Sequence, residues 1–327
     1  MFLPKILIAS FAFAVALSNG TALAQTEIKF GHVGNPGSLF AQSAELFANR
    51  VNPKLGNKAK VVVYGSSQLG SDTELLKKLK LGTVDLALPS TVMTSVAGEF
   101  GVFEMPYLVQ NRAHAARIAK DIIHPILGPI VEKQGYKILA VWENGYRHIT
   151  NSKRPIVKPD DLKGLKLRVP GGVWRVKMFQ AYGASPSPME IKEVFVALQT
   201  GVMDAQENPL AQIFSARFHE VQKYLSLTGH VYTPAYVTAG ASWQRLPADV
   251  RKIVEDELKA SEPVILDLAE KVDNELAQKM KSAGIAINEA DKQAFINASR
   301  AIYQEFSKEV KGGQELIDKA LGLAKGS

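Results

Sequence analysis

Short apolar runs alternate with amphipathic stretches along most of the chain. Glu27-Ile-Lys-Phe-Gly-His-Val33 alternates as a strand does, and Pro36-Gly37 turns into a helix over residues 38–51 with Phe40, Ala44, Leu46 and Phe47 on its apolar side. Lys60-Val-Val-Val-Tyr64 is a continuous β-branched run, which predicts a buried parallel strand. Ser71-Asp-Thr-Glu74 has the spacing of a capping box and opens a helix over residues 73–81. Val84-Asp-Leu-Ala-Leu88 predicts a third strand, residues 111–133 helices, and Tyr136-Lys-Ile-Leu-Ala-Val-Trp142 a further strand that ends in the turn Glu143-Asn-Gly-Tyr-Arg147. Leu165-Lys-Leu-Arg-Val169 is a short strand stopped by Pro170 and Gly171-Gly172. Residues 174–182 and 192–201 read as helices, the second stopped by Gly201, and Met203-Asp-Ala-Gln-Glu-Asn-Pro209 returns toward the sheet. From Leu246 onward Val250, Ile253, Val254, Leu258, Ile265, Leu268, Val272, Leu276 and Met280 keep helical spacing up to Gly284, with Pro263 expected to bend the run. Residues 291–311 and 315–323 finish the chain as helices.

This alternation argues a parallel, doubly wound α/β architecture. Gly82-Thr-Val-Asp-Leu-Ala recurs in form as Gly201-Val-Met-Asp-Ala-Gln, which suggests two lobes built alike around a cleft. The expected division is residues 25–150 mainly for a first α/β lobe and 151–245 mainly for a second. Residues 246–327 then hold a long spanning helix and C-terminal helices that pack on both lobes.

The N-terminus adds an address. One charge in Met1-Phe-Leu-Pro-Lys5, the apolar run Ile6 to Leu17 and the small-x-small site Ala22-Leu-Ala24 predict a signal peptide over residues 1–24 and a mature chain from Gln25. The apolar core is too short for a membrane span, so the mature chain is not expected to be membrane-inserted. With no cysteine, neither a lipid-anchored cysteine nor a disulfide is available. The formal net charge is +7, but the basic residues are dispersed and interleaved with acids, which argues against nucleic acid as a partner.

The chain has no Cys nucleophile, no G-x-S-x-G elbow, no H-E-x-x-H and no phosphate-binding loop, and its six histidines lack zinc-site spacing. No metal or cofactor is expected. What remains is a set of polar groups near predicted strand ends: His32, Glu74, Ser90, Arg147, Arg168 and Asn208. A guanidinium matches a carboxylate through two parallel hydrogen bonds. Two arginines and an amide facing a cleft make an anion-binding site without a nucleophile. Glu74 reads two ways, as the cap of its own helix or as an acceptor for a ligand hydroxyl, and Ser90 could bind a ligand or cap the next helix. A rival reading is a periplasmic hydrolase or lyase with Glu74 and His32 as an acid–base pair.

The residues also carry a resemblance. Gly65-Ser-Ser-Gln-Leu-Gly-Ser-Asp72, Phe103-Glu-Met-Pro-Tyr107, Gly145-Tyr-Arg147, Leu162-Lys-Gly-Leu-Lys-Leu-Arg-Val-Pro170, Gly183-Ala-Ser-Pro186, Ala197-Leu-Gln-Thr-Gly201 and Asp204-Ala-Gln-Glu-Asn-Pro209 run in the order found in the solute-binding proteins of TRAP (tripartite ATP-independent periplasmic) transporters, which the chain resembles over nearly its whole mature length. The resemblance implies a two-lobed periplasmic binding protein with a ligand cleft between the lobes and a long connecting helix. It implies Arg168 as the carboxylate anchor, with Arg147 and Asn208 beside the ligand, and TRAP membrane permease subunits as partners in the periplasm. Phe195 stands where many members carry Tyr, which would leave the pocket more apolar. Glu74 and His32 in the pocket favour a small organic acid rich in hydroxyls, a sugar acid such as a uronate or aldonate. A C4-dicarboxylate or keto acid comes next, and an aromatic acid, met by Phe195, Trp174 and Tyr236, third.

Overall fold

The computed structural model describes residues 25–325, so the expected signal segment, residues 1–24, lies outside the described residues. The first half runs β1 (Thr26–Gly31), α1 (Leu39–Leu55), β2 (Ala59–Tyr64), α2 (Asp72–Leu81), β3 (Leu86–Ala87), α3 (Arg112–Ile118), α4 (Gly128–Glu132) and β4 (Lys137–Asn151). The second runs β5 (Lys166–Val169), α5 (Val173–Ala181), β6 (Ser185–Pro188), α6 (Ile191–Gln199), β7 (Ala205–Pro209), α7 (Leu210–Ser215), α8 (Phe218–Val221) and β8 (Tyr224–Leu227). β9 (Tyr232–Ala239), α9 (Ala248–Ser282), β10 (Ala286–Glu289), α10 (Lys292–Ala298), α11 (Arg300–Glu309) and α12 (Gly313–Gly322) complete the chain.

Local chemistry places these elements. Ser38 caps α1 by accepting from Ala41 N at 3.2 Å. Ser71 and Glu74 form the expected capping box on α2. The two sequence echoes are structural echoes as well. Gly82 (φ 70°), the C-cap of α2, and Gly201 (φ 74°), one residue past the C-cap of α6, both have the positive φ at which a Cβ would be strained. Three residues on, Asp85 Oδ2 accepts from Lys29 N at 2.8 Å and Asp204 Oδ2 accepts from Lys166 N at 3.0 Å. Each Asp ties the strand it enters to the neighbouring strand, so the two lobes are built on one plan.

The strand order is β2-β1-β3-β9-β4-β7-β5-β6, with β8 pairing with β4 and β10. The pairs β1–β2, β1–β3, β5–β6 and β5–β7 are parallel, but β9 runs antiparallel to β3 and β4, and β4 antiparallel to β7. The sheet is therefore mixed rather than wholly parallel. β4 is the reason. It does not end in a turn at residues 143–147 but continues for 15 residues. Gly145 (φ 123°) absorbs a register shift between Glu143 and Gly145 where the strand passes from the first lobe to the second. β9 belongs to the first lobe's sheet although it follows the second lobe in sequence. β2 is an edge strand with Lys60 exposed and Val62 and Val63 half-buried, so its β-branched run marks an edge and not a sheet centre. β10 was not foreseen.

One hydrophobic core lies under β1, β2, β3, β9 and the first half of β4, joined by Ile302, Phe306, Leu316 and Ile317 of the last two helices. Two smaller clusters serve the second lobe, one around Leu167, Val169, Met178 and Phe179, the other around Val194, Leu210, Ile213 and Phe218. Helix α9 spans them, with Val250 to Ile265 in the first core and Ala269 to Met280 in the third cluster. Trp142 Nε1 donates to Ser261 Oγ on this helix at 2.9 Å, and Pro263 does not interrupt it. The protein is thus two α/β lobes joined by crossing strands and one long helix. Among the described residues no helix is long and apolar enough to cross a membrane.

Candidate ligand site between the lobes

Four elements deliver polar side chains to the seam between the lobes. Arg168 stands near the carboxyl end of β5, Asn208 in β7, Arg147 in the second half of β4, and Asp72 opens α2 from the first lobe. All four line one cavity of about 40 Å³, together with Ser90, Thr91 and Asn144. Val33, Phe40, Val92, Pro170 and Ile191 supply an apolar wall. Residues of both lobes therefore contribute to the lining.

Arg168 is 3% exposed, and its Nε and Nη2 both donate to the carbonyl of Met189, at 2.8 and 2.5 Å. This pins the guanidinium, while Nη1 has no protein acceptor among the described residues. Burial, and then the charge of Arg147, lower its pKa to about 10, so it stays cationic at neutral pH. Arg147 is held differently. Its Nε donates to Glu207 Oε2 at 2.5 Å, and its Nη2 to Glu207 Oε1 at 2.9 Å and to Asn208 Oδ1 at 3.1 Å. Asn208 Nδ2 in turn donates to Gln206 Oε1 at 2.7 Å.

Glu207 is the centre of a buried ionic cluster. Arg175 Nη1 donates to its Oε2 at 2.7 Å, His230 Nε2 lies 3.1 Å from the same oxygen, and Arg175 Nε reaches Glu104 Oε2 at 2.7 Å. Burial alone would raise the pKa of Glu207, but Arg147 and Arg175 together hold it well below the usual carboxylate range. The cluster leaves Arg147 rigid at the cavity floor. Arg175, Glu104 and Glu207 were not foreseen. The available signal was Glu207 itself, a carboxylate inside a strand run returning to a buried sheet, where a charge needs a partner.

Asp72 was also missed, and it replaces Glu74 as the first lobe's cleft carboxyl. Its Oδ1 is sealed from solvent and has no hydrogen-bond partner, although the residue as a whole keeps partial exposure. Burial and the neighbouring charge of Glu190, opposed by Arg168, push its pKa up to about 7. Glu74 does not line the cavity. It is exposed, and its Oε2 accepts from Ser71 N at 2.8 Å to close the capping box.

His32 is buried at 1% exposure and does not line the cavity either. Its Nδ1 accepts from Gly34 N at 3.2 Å, its ring stands edge-on to Phe40, and burial lowers its pKa to about 4. It therefore backs an apolar wall residue as a neutral ring. The acid–base pair of the rival reading is not brought together, because Glu74 faces solvent and His32 lies behind Phe40. Ser90 does line the cavity. Its hydroxyl donates to Pro234 O at 2.6 Å and accepts from Asn144 Nδ2 at 3.2 Å. The three aromatics that place an aromatic acid third are not in the lining. Phe195 packs into the second lobe, Trp174 against Phe306 at 5.2 Å and Tyr236 against Phe100 at 5.1 Å.

A larger open groove, about 820 Å³, carries Tyr146 and His148 and so occupies the face of β4 opposite Arg147. Its arginine, Arg112, is already committed to Glu143, at 2.7 Å, and to Asp273. Arg147 and Arg168 line the smaller cavity, and among the described residues no carboxylate claims Arg168.

Known proteins share the family and the fold of this chain. Residues 30–309 match the family of bacterial extracellular solute-binding proteins, family 7. A TRAP periplasmic solute binding protein from Bordetella, with density read as pantoate, is 34% identical with a TM-score of 0.86, covering 91% of this chain and 99% of that one. One from Sulfurospirillum deleyianum with bound succinate is 32% identical with a TM-score of 0.87 (92% and 100% covered). One from Polaromonas sp. JS666 bound to D-erythronate is 31% identical with a TM-score of 0.88 (93% and 100% covered). The family match over residues 30–309 and the fold shared with solved TRAP solute-binding proteins converge: the chain belongs to the family 7 extracellular solute-binding proteins, the DctP-type binding proteins of TRAP transporters.

Proposed function

We propose that the chain captures an organic acid in the periplasm and delivers it to the membrane permease of a TRAP transporter, and that the acid is a sugar acid such as an aldonate or uronate. The pair Arg168 and Arg147 beside Asn208, at one wall of a cavity to which both lobes contribute, carries the organic-acid reading, and the unpartnered acceptors of Asp72 and Asn144, in place of Glu74 and His32, favour an acid that brings hydroxyls. Arg168 Nη1 is the donor left for a ligand carboxylate, and closure takes that ion pair out of water, where it is stronger. Because ligand contacts come from both lobes, binding favours the closed form by the differential affinity and no more. The closed form is then what the permease recognises. No step of this cycle calls on catalysis by the chain.

A thermal-shift and calorimetry panel tests it. Purified protein is unfolded, dialysed, refolded and titrated with aldonates, uronates, C4-dicarboxylates, 2-keto acids and neutral sugars. Stabilisation by acids and none by neutral sugars is expected. Turnover of an acid to product, or no stabilisation by any acid, overturns the reading.

A further inference from the structure

Two residues of the cavity lining each carry a buried acceptor atom with no hydrogen-bond partner among the described residues. Asp72 Oδ1 is one, and Asn144 Oδ1, on a residue 6% exposed, is the other. The orientation of the Asn144 amide follows from its neighbours. Its Nδ2 lies 3.2 Å from Ser90 Oγ and 3.1 Å from Thr233 Oγ1, and those two hydroxyls already donate to Pro234 O at 2.6 Å and Gly145 O at 3.3 Å. Both hydroxyl oxygens must therefore accept, so Nδ2 faces them and Oδ1 is the atom left over. A buried acceptor without a donor is costly, and such atoms in a binding site mark where a ligand supplies the hydrogen.

The cavity thus sorts its chemistry by element. The second lobe brings donors, Arg168 and Arg147, and the first lobe brings unpaired acceptors. At about 40 Å³ it is also small, since one water takes roughly 10–15 Å³ on this measure. The acceptors must then be met by groups on carbons close to the carboxylate.

We infer that Asp72, assisted by Asn144, is the specificity determinant of this site, selecting short acids that carry hydroxyls next to the carboxylate over dicarboxylates and acids with only acceptor groups. This rests on the solute-binding reading above and narrows it toward short aldonates. A second carboxylate, or a keto oxygen, meets an acceptor where a donor is required. The raised pKa of Asp72 agrees with the placement. As pH falls through about 7, Asp72 gains a proton and becomes a donor, so a keto or second carboxyl oxygen becomes acceptable.

The test is calorimetry of the refolded protein, residues 25–327, with D-erythronate, L-threonate, succinate and 2-ketobutyrate at pH 6 and pH 8. The wild type is expected to prefer one of the two hydroxy acids over succinate and 2-ketobutyrate by about 10- to 100-fold at pH 8, the range of one charged hydrogen bond, and by less at pH 6. Asp72→Ala is expected to collapse that ratio while the protein still binds acids, whereas a merely structural role would weaken all four alike and leave the ratio and its pH dependence unchanged. Preference for succinate or 2-ketobutyrate in the wild type, or an unchanged ratio in Asp72→Ala, overturns the inference. Arg168→Ala separates the two levels. Binding that Arg168→Ala abolishes but Asp72→Ala leaves unselective or unaltered in ratio sustains or sinks the Asp72 role alone, and absence of binding by every acid sinks the solute-binding reading beneath it.

Discussion

Arg147 spends two of its three guanidinium nitrogens on Glu207, at 2.5 and 2.9 Å, and Glu207 shares its Oε2 with Arg175 at 2.7 Å. A residue expected to act on the ligand is thus first a member of a buried ionic cluster, and only secondarily a wall of the cavity. Arg168 is the converse. Its protein contacts go to a backbone carbonyl, which orients it without neutralising it. The two arginines should therefore fail in different ways.

Arg168→Ala should weaken acid binding by about 2–5 kcal/mol, because the ligand carboxylate would be buried without its partner. The melting temperature of the ligand-free protein should change little. Calorimetry beside thermal unfolding checks both, and near-normal affinity in this variant would remove Arg168 from its role.

Arg175→Met should instead damage the fold. It strips Glu104 and Glu207 of their shared partner inside the protein, and such losses cost about 3–5 kcal/mol. Urea unfolding should show a lower midpoint with an unchanged slope. A variant as stable as wild type would mean that the cluster is not a structural necessity.

Asp72 should lower stability at neutral and alkaline pH. Its folded pKa of about 7 lies above the ordinary 3.8, so the folded state binds the proton more tightly, and stability is present below the unfolded pKa and lost as pH rises through about 7. The full difference is on the order of 4 kcal/mol, an upper bound because the cleft can open to water. Asp72→Asn should raise the melting temperature at pH 8 and leave it nearly unchanged at pH 4. Equal effects at both values would contradict the raised pKa.

His32 has the opposite sign. Its pKa is lowered from 6.5 to about 4 by burial, so the unfolded state binds more protons between those values, and stability falls as pH drops through that window. The contribution is about 3 kcal/mol. His148, lowered to about 3 by burial, acts in the same range, so His32→Asn should lessen the acid sensitivity without abolishing it. The measurement is the difference in unfolding free energy between variant and wild type from pH 7 to pH 4.

Glu74→Ala should lower the melting temperature slightly through loss of the capping box and leave ligand affinity as it is. A marked loss of affinity would return Glu74 to the site.

The linear pattern by itself determined most of the local structure: the capped start of α2 at Ser71, the glycine stops at Gly82 and Gly201, the strand around Arg168, the long C-terminal helix and the doubling of the plan. These depend on residues within a few positions of one another, where hydrogen-bonding reach and side-chain period act directly. The motif order also carried the family. Only the tertiary structure decided which carboxylate enters the cleft. Asp72 and Glu74 are two residues apart on one helical turn, and helical geometry sends them to different sides. Which side meets the other lobe depends on a contact with residues some hundred positions away, such as Thr73 with Glu190 at 3.1 Å. The same holds for β4, whose turn-like residues were drawn into a 15-residue strand by β9 and β7, and for Arg147, whose charge was claimed by Glu207 across 60 residues of chain. Long-range pairing and burial set those outcomes, and neither is written in the local pattern of apolar and polar positions.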